Sequence, residues 1–308
     1  MSDQKPKKSD QLPFGYQFLA GAIAGISELL VMYPLDVVKT RIQLQSNTST
    51  TGVKYKGMFD CLGKIIRQEG ARTLYRGITS PIFMEAPKRA TKFAFNEKYK
   101  TAFTQLLGPG HNQAVALMSG FCAGATEAVV IVPFELVKVQ MQDSTSTFHS
   151  PLEVVKHTVK THGIFGLYKG LESTVLRHAF WNCGYFGCIF QVRRYVKTDE
   201  NASKDKKILN DLIAGTIGGT MGCIFNTPFD VVKSRVQSNT NLVTLENGQV
   251  VKKYNWAFPS ILKIYREEGF LALYKGFIPK IARLGPGGGI LLIVFTAVTD
   301  FMKEFRSR

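Results

Sequence analysis

Pro34-Leu35-Asp36-Val37-Val38-Lys39-Thr40-Arg41-Ile42-Gln43 returns twice along this chain. The second copy is Pro133-Phe134-Glu135-Leu136-Val137-Lys138, with Gln142, and the third is Pro228-Phe229-Asp230-Val231-Val232-Lys233-Ser234-Arg235-Val236-Gln237. From Pro34 to Pro133 is 99 residues, and from Pro133 to Pro228 is 95. In every copy an acid stands two residues after the proline, a lysine three beyond the acid, and a glutamine four beyond the lysine. One copy would say little, because i, i+3 ion pairs are common on helices. Three copies at nearly equal spacing make a threefold repeat, and that sets how every local feature is read.

Each copy closes an apolar segment. Gly21, Gly120 and Gly215 stand thirteen residues before the prolines, with Gly25, Gly124 and Gly219 four residues on. Small residues at that spacing let helix backbones approach closely inside a bilayer. Downstream comes a second echo: Glu69-Gly70 with Tyr75-Arg76-Gly77, His162-Gly163 with Tyr168-Lys169-Gly170, and Glu268-Gly269 with Tyr274-Lys275-Gly276. These marks cover almost the whole chain, which resembles the mitochondrial carrier family of inner-membrane transporters. That family's signature is a proline, an acid and a base at this spacing, followed by acid-glycine and aromatic-base-glycine. His162, where an acid is usual, is the clear departure in the second motif. The resemblance implies an all-α membrane protein: six transmembrane helices in three two-helix repeats, each with a short matrix surface helix, around a central cavity. A polar tail (1–11) then precedes repeats at 12–107, 108–200 and 201–308. The protein is expected to be a multi-pass monomer of the mitochondrial inner membrane.

Composition narrows the partners. The 308 residues carry a net charge of +16. Nucleic-acid binding is one outlet for such charge, but no zinc, helix-turn-helix or RNA-binding pattern accompanies it. An anionic membrane surface or an anionic solute suits the apolar repeats better. Cys61, Cys122, Cys183, Cys188 and Cys223 show neither metal-ligand spacing nor a disulfide framework. The tail lacks the apolar stretch of a secretory signal and the arginine pattern of a presequence, so import through internal signals is expected. No nucleophile–base pair or nucleotide loop points to an enzyme or a cofactor. Gly285-Pro286-Gly287-Gly288-Gly289 lacks the Lys-Ser/Thr ending of a phosphate loop and reads as thin helix packing.

Leu12 to Tyr33, Gln113 to Val132 and Leu209 to Thr227 read as kinked helices that continue past their prolines. Backbone groups freed at a proline need water or side chains, so the kinks should face a cavity rather than lipid. Glu28 and Glu127 lie six residues before their prolines, where repeat three has Gly222; a structural role is the expectation for both acids. After each kinked helix comes an amphipathic piece with Phe59, Leu62, Ile65 and Ile66, then Leu152, Val155 and Val159, then Ile261, Ile264 and Tyr265 on one face. The even-numbered spans contain Glu85, Lys88, Arg89 and Lys92, then Glu172, Arg177 and His178, then Lys280 and Arg283. Such a charge costs at least ~2.5–3.5 kcal/mol near mid-bilayer, so it belongs on a water-filled solute path. Lysines flank both ends of the spans, and loop charge gives no orientation. The resemblance puts the termini in the intermembrane space and the prolines towards the matrix.

The resemblance also assigns roles. If the kinked helices converge, each acid should pair with the lysine of the next repeat: Asp36 with Lys138, Glu135 with Lys233, and Asp230 with Lys39. This is the family's matrix gate, with Gln43, Gln142 and Gln237 as glutamine braces. On the cytosolic side, Glu97 and Lys100 belong to the corresponding pattern in repeat one and Arg193 in repeat two, so a single inter-repeat pair, Glu97 with Arg193, is expected. Backbone N–H groups at a helix start beside a cation favour phosphate. The family's phosphate partner is cardiolipin, on Gly70, Tyr75 and Gly77, on Gly163, Tyr168 and Gly170, and on Gly269, Tyr274 and Gly276.

Met84, Arg177 and Arg283 follow the turn glycines by seven residues and match the family's substrate contact points. An arginine followed by a polar residue, here Arg177-His178, goes in related carriers with keto and carboxylic acids. Physically, a guanidinium fork binds a carboxylate through two parallel charge-assisted bonds, and two arginines hold both ends of a dicarboxylate. Lys88 and Lys92 add a cationic wall, and His178 with Asn182 shares one helical face near Arg177. The stretch Arg177 to Phe186 resembles carriers that exchange 2-oxodicarboxylates such as 2-oxoadipate and 2-oxoglutarate. A tricarboxylate or malate-type carrier is the neighbouring alternative. A carrier-like scaffold without transport is the alternative of another class; it would lose cavity arginines and gate charges first, and both are present.

Overall fold

The computed structural model describes residues 13–46, 54–108, 110–195, 204–238, 242–244 and 249–307. Six long helices dominate: α1 (Phe14–Leu44), α3 (Thr79–Leu107), α4 (Asn112–Gln142), α6 (Leu171–Tyr195), α7 (Lys204–Gln237) and α9 (Phe277–Ser307). The shortest, α6, has 25 residues. At 1.5 Å per residue even that exceeds a hydrocarbon core of ~30 Å. They pack as a ring in the order α1, α3, α4, α6, α7, α9 and back to α1. Pro34, Pro133 and Pro228 all lie inside continuous helices, as the sequence predicts.

Between the long helices of each repeat runs a short one: α2 (Met58–Gln68), α5 (Pro151–His162) and α8 (Ala257–Glu268). Each leads through a 3-10 turn into the next long helix. The α5 start carries a capping box, Ser150 with Glu153, and Pro151 as its first residue, where a missing N–H costs nothing. A two-stranded hairpin, β1 (Leu242–Thr244) with β2 (Val250–Lys252), precedes α8.

The apolar cores sit beneath the short helices. Tyr33, Val37 and Val38 of α1 pack with Cys61 and Ile65 of α2; Val137 and Met141 of α4 pack with Val154 of α5; Val231, Val232 and Val236 of α7 pack with Ile264 of α8. The apolar face read from spacing is divided, with Ile65 and Ile264 turned inward. Phe59, Ile66, Leu152 and Tyr265 are exposed, while Cys61, Thr158 and Ser260 are buried. Apolar periodicity cannot distinguish a protein-facing stripe from a lipid-facing one, because both are apolar.

Apolar side chains such as Leu30, Val31, Phe121, Phe225, Leu292 and Ile293 point outward along the ring. Among the described residues, three segments are long and apolar enough to cross a membrane: Gly15–Leu44, Asn112–Gln142 and Phe270–Phe305. The last of these contains an even-numbered span despite its charges. Phe277 to Thr296 concentrates its charge in Lys280 and Arg283, and an uncharged run follows.

The glycine pairs also differ from expectation. Gly25 accommodates the Arg89 side chain, and a Cβ on Gly124 would stand 2.9 Å from His178 Cβ. These glycines make room for polar side chains. Close backbone approach occurs instead between α6 and α7, where a Cβ on Gly184 would lie 2.9 Å from Gly222 Cα. That contact explains why repeat three has a glycine where the other repeats carry Glu28 and Glu127.

Candidate functional site

The acids and lysines of the repeated stretch meet between repeats. Lys138 Nζ lies 2.8 Å from Asp36 Oδ2, Lys233 Nζ 2.8 Å from Glu135 Oε2, and Lys39 Nζ 2.5 Å from Asp230 Oδ2. All three acids are buried. An even helix adds a further cation to each acid. Arg283 donates to Asp36 Oδ1 at 2.6 Å and to Glu28 Oε1 at 2.8 Å. Arg177 donates to Glu135 Oε1 at 3.1 Å, and its Nε lies 3.9 Å from Asp230. Lys280 donates to Asp230 Oδ2 at 3.2 Å and to the Asn226 side-chain carbonyl. Met84, the third residue related to Arg177 and Arg283, brings no charge, and Arg177 serves Glu135 in its place.

The charge balance of this network is informative. Lys39, Lys138, Lys233, Arg177, Lys280 and Arg283 face Asp36, Glu135, Asp230 and Glu28, two more cations than acids. Above it opens a cavity of about 210 Å³ lined by Met84, Lys88, Glu127, Arg177, His178 and Arg283, among others. His178 Nε2 lies 3.1 Å from Arg177 Nη2. A guanidinium has no acceptor, so Nε2 accepts and holds the guanidinium in place. Lys88 pairs with Glu85 at 2.7 Å, beside Arg89.

Several expected residues stand elsewhere. Lys92 is exposed and outside the cavity lining. Asn182 donates to the Gly120 carbonyl at 3.0 Å and so joins α6 to α4. It lies one turn beyond His178 on the same face of α6, past the cavity lining, where its amide is taken by the α4 backbone. Of the glutamines, Gln43 donates to Asp230 Oδ2 at 3.3 Å and spans the Lys39–Asp230 pair. Gln237 donates instead to the Lys169 carbonyl at 3.2 Å, and the buried Gln142 amide lies beside the Tyr33 hydroxyl. Glu97 and Lys100 are exposed; no ion pair of theirs occurs among the described residues. The Arg193 side chain lies outside the described residues.

The turn glycines have a backbone reason to be glycine. Gly70, Gly163 and Gly269, and Gly77, Gly170 and Gly276, take φ between 69° and 88°. Side chains avoid that region. A Cβ on Gly170 or Gly276 would also press on Gln237 or Gln43. Tyr75 is exposed, and Tyr168 and Tyr274 are half-buried.

The profile of the mitochondrial carrier protein family matches residues 10–106, 110–200 and 204–306. The chain belongs to that family. It is similar to a mitochondrial citrate transporter D of Aspergillus niger, 57% identical over 99% of both chains. It is also similar to the mitochondrial 2-oxodicarboxylate carriers 2 and 1 of Saccharomyces cerevisiae, 54% and 53% identical over 96% of both chains.

Within this carrier, the second repeat is built differently beside its surface helix. In repeat one Arg41 pairs with Glu69 at 2.7 Å, and in repeat three Arg235 and Lys275 both pair with Glu268. Burial alone would raise the Glu268 carboxyl, but hydrogen bonds from Arg235 and Lys275 outweigh it and bring it down to about 2. Repeat two has Gln140 and His162 at the corresponding positions. Gln140 Oε1 is buried without a partner, and Lys169 makes no ion pair among the described residues. Burial, with Lys252 alongside, brings the Lys169 ammonium down to about 8. A second cavity of about 880 Å³ opens here, lined by Gln140, His162, Tyr168, Lys169, Lys252 and Trp256, among others.

Asn226 is the network member that sequence reasoning left aside. Lys280, expected on the solute path with Arg283, stands one helical turn before it on the same face and joins the network through Asp230.

Proposed function

We propose that this chain is an antiporter of the mitochondrial inner membrane that exchanges 2-oxodicarboxylates, such as 2-oxoadipate and 2-oxoglutarate, by alternating access. The observation that carries the reading is the pair of arginines lining one cavity, Arg177 from α6 and Arg283 from α9, above a network with two surplus cations. One carboxylate takes each guanidinium fork, and a dianion matches the surplus. Both arginines are already held by acids of the inter-repeat pairs, so a bound dicarboxylate competes with Glu135 and Asp36 for them. Loosening those acids weakens the matrix gate where substrate has arrived. The binding residues are Arg177, His178 and Arg283, with Lys88 and Met84 on the wall. The gate is Asp36, Lys39, Glu135, Lys138, Asp230 and Lys233.

Buried ion pairs roughly balance their own desolvation, so such a gate opens without a large cost. The phosphate of a membrane lipid, cardiolipin by family resemblance, occupies the turns before the even helices, with Lys169 and Lys252 as its cations in repeat two. The protein works as a monomer.

The test is reconstitution into liposomes loaded with 2-oxoglutarate. External 2-oxoadipate and 2-oxoglutarate should exchange, and ATP and neutral amino acids should not. Because one relative bears the name of a citrate transporter, citrate belongs in the panel. Faster exchange of citrate than of either 2-oxodicarboxylate would assign the site to tricarboxylates, and robust ATP exchange would remove the carboxylate reading.

A further inference from the structure

Five acids line the central cavity, and four of them are paired: Asp36 with Lys138 and Arg283, Glu85 with Lys88 and Arg89, Glu135 with Lys233 and Arg177, and Asp230 with Lys39 and Lys280. Glu127 is the fifth. It is 7% exposed and makes no ion pair or hydrogen bond among the described residues. Its structural counterpart Glu28 has a partner in Arg283 at 2.8 Å. Glu127 has none because the position on α3 that corresponds to Arg283 is Met84, which brings no charge.

The surroundings make this carboxyl sensitive to substrate. Charged groups facing it are Lys88 and Lys92 from α3, Arg177 from α6, and Glu135 two turns along α4. His178 of α6 lines the same cavity, while α1 and α7 present the paired Asp36, Lys39, Asp230 and Lys233 at its floor. The fields of Lys88, Lys92 and Arg177 are what favour an ionised Glu127 in the empty cavity. A dicarboxylate bound on Arg177 and Arg283 neutralises Arg177 and sets a new carboxylate beside Glu127. Like charges in a partly desolvated site disfavour joint ionisation.

We propose that Glu127 takes up a proton when a dicarboxylate binds, so that the carrier moves substrate and proton together. The proton comes from water on the side where substrate enters, resides on a Glu127 oxygen while the cavity is closed, and returns to water where substrate leaves. In exchange of like for like the two proton movements cancel. They appear when the outward cargo differs in charge from the inward one, or when binding alone is followed.

This inference rests on the dicarboxylate reading, which exchange at one fixed pH tests separately. Purified carrier in weakly buffered detergent solution at pH 7, with a pH indicator, receives 2-oxoadipate, and binding is followed independently by thermal stabilisation. The wild-type protein should take up about one proton per bound dicarboxylate. By linkage, its affinity should then rise as pH falls, by up to about tenfold per pH unit. Glu127→Gln, or Glu127→Asn if the glutamine variant fails to fold, should bind substrate with no proton uptake and a flat pH profile. Glu127→Asp, which keeps a carboxyl, should retain uptake. Binding by the wild-type protein without proton uptake overturns the proposal, and this result needs no variant. Undiminished uptake by the neutral variants also overturns it and moves the proton to His178 or to a displaced gate acid.

Discussion

Arg177 and Arg283 each hold an acid of an inter-repeat pair, and in the proposed cycle each also takes a substrate carboxylate. Alanine at either position should nearly abolish uptake while the helices stay folded, because a charge-assisted hydrogen bond of ~1.5–3 kcal/mol is lost at each. In affinity that is roughly tenfold or more, read as the KM for 2-oxoadipate in proteoliposomes. Normal uptake by either variant removes that arginine from the site. Asn182 provides the contrast on the same helix. Its amide is spent on the Gly120 carbonyl, so Asn182→Ala should lower thermal stability and leave the KM within about twofold, since a lost neutral bond is worth ~0.5–1.5 kcal/mol to the fold. A KM raised as far as in Arg177→Ala would return Asn182 to the substrate. The arginines were legible in the sequence because their distance from the turn glycines recurs three times. Asn182 was not, since one sequence does not say whether a polar side chain on that face reaches substrate or the backbone of the neighbouring helix.

Between the odd helices and their surface helices, the repeats use two solutions to one packing problem. Repeats one and three bury an arginine against a glutamate, Arg41 with Glu69 and Arg235 with Glu268, whereas repeat two carries Gln140 and His162. Gln140→Arg alone should destabilise the protein, because it buries a guanidinium without its carboxylate. Combined with His162→Glu it should recover at least the lost stability, as removing one partner of a buried pair costs ~3–5 kcal/mol. Thermal unfolding of the two single variants and the double variant measures the coupling, and purely additive effects would mean the new side chains do not meet. Glu268 adds a pH signature in repeat three. Its carboxyl is depressed to about 2, below the ordinary value of ~4.3, so its contribution is complete above the ordinary value and fades as pH falls towards 2. Glu268→Gln should flatten the acid limb of stability over that window, and an unchanged limb would show that the ion pair contributes nothing. The existence of α2, α5 and α8 was readable from spacing, yet their inward faces were not. Their apolar residues are divided between protein and lipid, and hydrophobicity marks both alike.

At the scale of the whole ring, the three inter-repeat pairs decide whether the charges act between helices or along them. Within α1, Asp36 and Lys39 are i, i+3 neighbours, and a pair of that kind gives only ~0.2–0.5 kcal/mol. The observed partners lie across the ring instead, with Lys138 Nζ 2.8 Å from Asp36 and Lys39 Nζ 2.5 Å from Asp230. Asp36→Lys should therefore set like charges against both Lys138 and Arg283 and impair exchange. Adding Lys138→Asp restores opposite charges across the α1–α4 interface and should recover part of the rate. Recovery stays partial because Arg283, 2.6 Å from Asp36 in the native protein, then faces a lysine. Adding Lys39→Asp to Asp36→Lys instead keeps the charges on one helix. It leaves Lys138 opposite a lysine and Asp230 opposite an aspartate, so two interfaces repel and exchange should recover less. Like-charge juxtaposition at an interface costs several kcal/mol, enough to separate the two double variants in an initial-rate assay. Equal recovery by both would mean that the repeated stretch acts within its own helices, and the inter-repeat gate would have to be abandoned.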